Sequence, residues 1–76
     1  MADKVTRLRW RCRRGMQELD LLLHAFLEHQ YAQVSPELQG AFERLLAEKD
    51  EDLWAWFSGQ AKPEDKAYRQ LIERML

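Results

Sequence analysis

The apolar positions of this chain fall into five stretches with helical spacing. The clearest is Leu19, Leu22, Leu23, Phe26 and Leu27, which repeat at i, i+3, i+4, i+7 and i+8 and define one face of an amphipathic helix. Ahead of it, Val5, Leu8 and Cys12 make a narrower stripe, with a parallel basic stripe of Arg7, Arg11 and Arg14. Trp10 falls beside the basic stripe and away from the apolar one. Gly15 separates the two segments, because glycine is a poor helix interior residue and accepts the positive φ of a tight helix-to-helix turn.

Ser35, Pro36 and Glu37 predict the next helix start: a side-chain oxygen to cap free amides, a preset φ, and an acid at the positive end of the dipole. Leu38, Ala41, Phe42, Leu45 and Leu46 supply its buried face. The acidic run Asp50, Glu51 and Asp52 opens a shorter helix through Leu53, Trp54, Trp56 and Phe57, which Gly59 terminates. Its three aromatic rings crowd one short helix and cannot all point inward. Pro63, Glu64 and Asp65 predict the start of a last helix with Tyr68, Leu71, Ile72 and Met75 as its apolar stripe. Val5, Thr6, Val34 and Ile72 are the only β-branched residues. The expected fold is all-α, a small single-domain five-helix bundle over residues 1–76.

Length narrows the choice of function. A chain of 76 residues has room for one core, and buries only ~60–65% of the surface it exposes when unfolded. A large internal active site would consume that core. The single cysteine, Cys12, has no partner for an internal disulfide, so helix packing has to hold the fold, which favours a reducing compartment. The charged N-terminal residues and the lack of a long apolar run argue against a secretory signal and a membrane span, and the expected location is the cytoplasm.

Charge is segregated. Residues 1–14 hold Lys4, Arg7, Arg9, Arg11, Arg13 and Arg14 against Asp3, a balance of +5, so the remainder carries −6 of the formal net charge of −1. Such a division can orient a partner. Arginines beside Trp10 raise the alternative of a nucleic-acid-associated helical adaptor, with guanidinium groups on phosphates and bases stacked on the indole. The acidic remainder and the overall pI of about 6.1 oppose it, and no nucleic-acid partner is expected.

Catalytic and metal chemistry find little support. Gly15, Gly40 and Gly59 lie too far apart for a phosphate-cradling loop. Neither His24 nor His29 forms a nucleophile-and-base signature with Cys12 or a serine, and Cys12 on its apolar stripe reads as a buried structural thiol. Asp20, His24 and Glu28 at i, i+4 and i+8 share one helix face, but three ligands on one helix converge poorly and the spacing suits a solvated face. No catalytic residue, metal site or stably bound cofactor is expected.

The most specific feature is Arg13-Arg14-Gly15-Met16-Gln17-Glu18-Leu19-Asp20. Its plain reading is a helix boundary with an ion pair between Arg14 and Glu18, worth ~0–1 kcal/mol if exposed. A docking surface better explains why arginines, Trp10, a glycine turn and Glu18 gather at one end. Arginine offers a planar donor fork, Glu18 the opposite charge, and Gly15 room for a partner's backbone.

With these residues the sequence resembles the bacterial FAD assembly factors of succinate dehydrogenase, whose signature Arg-Gly-x-x-Glu is matched by Arg14, Gly15 and Glu18. The context is similar as well: Trp10 and Cys12 before it, Glu18-Leu19-Asp20 after it, then Phe26-Leu27-Glu28-His29, Asp52-Leu53-Trp54-x-Trp56 and Lys62-Pro63. The resemblance covers about residues 5–65. It implies a five-helix bundle that binds the flavoprotein subunit of succinate dehydrogenase, and in some cases of fumarate reductase, and promotes covalent attachment of FAD to a histidine of that subunit. The reacting histidine then belongs to the partner, and this chain is a non-catalytic assembly factor. The implied contact residues are Arg14, Gly15 and Glu18, with Trp10 and Arg11 as neighbours.

Overall fold

Three of the five helices in the computed structural model, which describes residues 3–76, begin on a side-chain oxygen that accepts from otherwise unpaired amides. Asp3 accepts from the Thr6 amide at 2.8 Å and starts α1 (Lys4–Arg11). Ser35 accepts from the Leu38 amide at 3.3 Å and starts α3 (Pro36–Leu45), with Pro36 in the first turn as the sequence predicts. Asp65 accepts from the amides of Ala67 and Tyr68 and starts α5 (Lys66–Met75). The last helix therefore begins after Asp65, not at Pro63. A carboxylate holding two free amides outweighs the φ preset by proline, and Pro63 is buried ahead of the helix.

Between these lie α2 (Gln17–His29) and α4 (Asp50–Ser58), the latter carrying Asp50, Glu51 and Asp52 in its first turn and ending at Gly59 with φ +84°. A short 3-10 turn over Tyr31–Gln33 links α2 to α3. The elements are all helical among the described residues. None of these helices is long and apolar enough to cross a membrane.

The helices share one core. Leu19, Leu23, Phe26 and Leu27 of α2, Leu38, Ala41, Phe42 and Leu45 of α3, and Leu71 and Ile72 of α5 belong to one buried cluster. The closest aromatic contact joins Phe26 and Phe42, with centroids 4.8 Å apart, and Tyr31 packs on the same ring at 5.7 Å. α5 packs against both α3 and α2, and α1 lies against α2. Of the crowded aromatics on α4, Phe57 is buried, while Trp54 and Trp56 are half-buried at the core's edge. Trp56 packs on Tyr68 at 5.6 Å.

α1 is shorter than its stripe suggests. Leu8 and Cys12 are buried, whereas Val5 is 38% exposed and the helix stops at Arg11. Arg14 thus lies beyond the helix, and the basic stripe of Arg7, Arg11 and Arg14 is interrupted before its last member.

A polar cluster ties α1 to α3. Glu43 accepts a hydrogen bond from the Tyr31 hydroxyl at 2.7 Å and pairs with the Lys4 ammonium at 2.9 Å. The bonds from Lys4 and then Tyr31 hold the Glu43 carboxyl below its ordinary value of 4.5, and burial followed by Glu43 pushes the Tyr31 phenol up to about 12. Because the folded carboxyl is the stronger acid, its contribution is fully present above the unfolded value and is lost as pH falls through the folded one. Asp3, lowered by its bonds to Thr6, acts with the same sign. Stability followed by circular dichroism should therefore decline below about pH 4.5, and Glu43→Gln should make that decline shallower. An unchanged acid limb would assign it to other carboxylates.

Candidate functional site

The turn between α1 and α2 is fixed by one positive φ and one partly buried guanidinium. Gly15 has φ +87°, a conformation that L side chains rarely adopt, and a Cβ placed there would meet no atom within 4 Å. Backbone conformation, rather than crowding, is what requires glycine. The same open space leaves the backbone of Gly15 accessible from outside.

Arg14 enters the molecule instead of leaving it. Its Nε donates to Asp50 Oδ1 at 2.7 Å, its Nη2 to the Glu48 carbonyl at 2.6 Å, and its Nη1 to the carbonyls of Leu46 and Arg11, the latter at 3.3 Å. Its own amide donates to Asp20 Oδ1 at 2.7 Å. The side chain is only 14% exposed. The local ion pair with Glu18 is replaced by a pair with Asp50, because the loop from Leu46 to Asp50 offers two carbonyls and a carboxylate in one guanidinium-sized pocket. Sequence reasoning assigned Asp50 to the start of α4 and missed this contact. With the two residues 36 positions apart, no local pattern signals it.

Glu18 sits in the first turn of α2, exposed and in no ion pair among the described residues. Arg11 is exposed at the end of α1. Trp10 is 67% exposed, with the Arg13 guanidinium 5.6 Å from its ring centroid. Trp10 and Arg11 border different grooves. Trp10 lines one with Thr6, Arg9, Arg13 and His24, toward α2; Arg11 lines another with Lys4, Arg7, Leu8 and Glu43, toward α3.

The remaining candidates are engaged in holding the fold. Cys12 is wholly buried, and desolvation pushes its thiol up to about 11, which leaves almost no thiolate near neutrality. Asp20 is held by the Arg14 amide, and Glu28 pairs with Arg9 at 2.8 Å, so two of the three residues spaced like metal ligands have protein partners. Basic charge near the N-terminus is partly neutralised in place: Lys4, Arg9 and Arg14 have acidic partners, while Arg7, Arg11 and Arg13 have none among the described residues.

The chain is similar to known proteins over most of its length. The family described as flavinator of succinate dehydrogenase matches residues 6–76, including the last helix, which lies beyond the stretch covered by the motif resemblance. Curated relatives named FAD assembly factor SdhE include a protein of Idiomarina loihiensis, 47% identical over 92% of this chain and 78% of its own length. One from Pseudomonas aeruginosa is 40% identical over 100% of this chain and 93% of its own, and one from Pectobacterium atrosepticum 39% identical over 92% and 80%.

Proposed function

The chain belongs to the family of succinate dehydrogenase flavinators, and from that premise we propose that it binds the flavoprotein subunit and promotes covalent attachment of FAD through the surface around Arg14, Gly15 and Glu18. The observation that carries this reading is the signature turn itself, rigidly anchored from inside while Gly15 and Glu18 stay exposed. Trp10 and Arg11 flank it within two short turns of chain and extend the contact surface. Fumarate reductase, whose flavoprotein subunit has the same task of holding FAD covalently, is a second client. The working location is the cytoplasm, where apo-flavoprotein is made.

The reacting histidine and the FAD lie on the partner, and this chain contributes position. A folded surface that fits one arrangement of the flavoprotein raises the population of that arrangement, and rate follows from a reactive geometry held longer. Such a role needs no nucleophile, in keeping with a thiol buried and protonated in the core. Titration of the purified flavoprotein subunit with wild type and Glu18→Gln tests the surface. The substitution keeps shape and removes one charge, and an affinity about tenfold lower is expected. Equal affinities would remove Glu18 from the interface.

The arginines of α1 give a second measurement. A nucleic-acid adaptor would lose affinity steeply with salt, by about one unit of log-log slope per phosphate contact. With Lys4, Arg9 and Arg14 already paired to carboxylates, the expected outcome is an affinity for DNA or RNA no greater than that of an unrelated acidic domain.

A further inference from the structure

The sequence signature offers Arg14 as a donor fork for a partner, yet its guanidinium is already spent. Of the five N–H groups of an arginine, four are directed at Asp50 Oδ1 and the carbonyls of Leu46, Glu48 and Arg11. These acceptors span the end of α1 and the whole turn from α3 into α4. The backbone amide of Arg14 is meanwhile fixed to Asp20 of α2. One residue thus binds four segments at the position immediately before Gly15.

We propose that Arg14 and Asp50 form a strut that sets the conformation of the Gly15–Glu18 turn, so that Arg14 serves docking as a positioning residue and Asp50 is its necessary counterpart. Gly15 has no side chain to hold its own turn, and because glycine takes either sign of φ readily, its φ of +87° is selected by what surrounds it. That selection comes from the residue before it, anchored through Nε, Nη1 and Nη2, and from the carboxylate of Asp20 behind it. Releasing Asp50 removes the one charged acceptor and leaves the guanidinium held by carbonyls alone, with the turn free to sample other conformations. Lysine is no substitute, since a single ammonium lacks the planar fork that reaches carboxylate and carbonyls together.

The inference rests on the docking role proposed above, and its test separates the two. Asp50→Ala, Arg14→Ala, Arg14→Lys and the double variant Arg14→Ala/Asp50→Ala are compared with wild type in two measurements: amide resonances of Gly15 to Glu18 by NMR on the free protein, and affinity for the flavoprotein subunit. The expected result is that Asp50→Ala shifts those resonances and weakens binding about tenfold, that Arg14→Lys fails to restore the loss, and that the double variant binds no worse than Arg14→Ala. Wild-type resonances and affinity in Asp50→Ala beside a weak Arg14→Ala would overturn the strut and make Arg14 a direct contact. So would losses that multiply in the double variant. Should Asp50→Ala unfold, Asp50→Asn removes the charge with the helix start retained, and the same outcomes apply. If wild type itself does not bind the flavoprotein subunit, the docking role fails, and unmoved Gly15 to Glu18 resonances still decide against the strut.

Discussion

Gly15→Arg is expected to leave a folded helical protein that no longer supports flavinylation. The positive φ makes any side chain at this position cost about 1–2 kcal/mol, and since a Cβ there meets no atom within 4 Å, no steric cost is added inside the fold. In the docking role proposed for this turn, the loss of function comes from outside, where a long charged side chain would occupy space left for the partner's backbone. Gly15→Ala separates the two effects, because it carries the same backbone strain with little bulk. Melting curves should place the two variants close together, and covalent flavin on the partner should fall much further with arginine than with alanine. Equal flavinylation by Gly15→Arg and wild type would leave the fold account intact and take the turn out of the contact surface.

Phe42→Ala has the opposite character, a large loss of stability with no direct change at the surface. Phe42 is fully buried and packs on both Phe26 and Tyr31, so truncation empties the joint between α2, the 3-10 turn and α3. Such changes cost about 3–5 kcal/mol, comparable with the whole net stability of a domain this small. Urea titration should show a midpoint moved close to zero denaturant, with much of the chain unfolded at 37 °C. A shift of less than about 1 kcal/mol would mean that the core collapses into the void more completely than close-packed interiors allow.

The helices were legible in the sequence because their signals are local. Leu19, Leu23, Phe26 and Leu27 repeat on one face, Ser35 caps α3, and Gly59 ends α4 as predicted. Boundaries decided by competing local bonds were harder to read: Asp65, rather than Pro63, starts α5, and α1 ends at Arg11, short of Arg14. For the site, the positive φ at Gly15 follows from residue type, and the place of Trp10 away from the apolar stripe follows from helix phase. The fate of Arg14 does not. Its partners Leu46, Glu48 and Asp50 are brought to it by the packing of the bundle, and a neighbouring Glu18 at i+4 gives a plausible but unrealised pair.

That division bears on how a chain without a catalytic constellation accelerates a bond made elsewhere. The interior of the turn is tied by charge-assisted bonds, and Gly15 and Glu18 are left exposed on its outer side. A turn held as the proposed strut holds it would lower the ordering cost of association and leave more of the contact energy for selecting one arrangement of the partner.

The most direct measurement is covalent flavin fluorescence on the denatured flavoprotein subunit of succinate dehydrogenase, taken from cells lacking this protein and from the same cells carrying it again. The account predicts a strong loss in its absence and full recovery with the wild-type chain. Normal covalent flavin without the protein would contradict it.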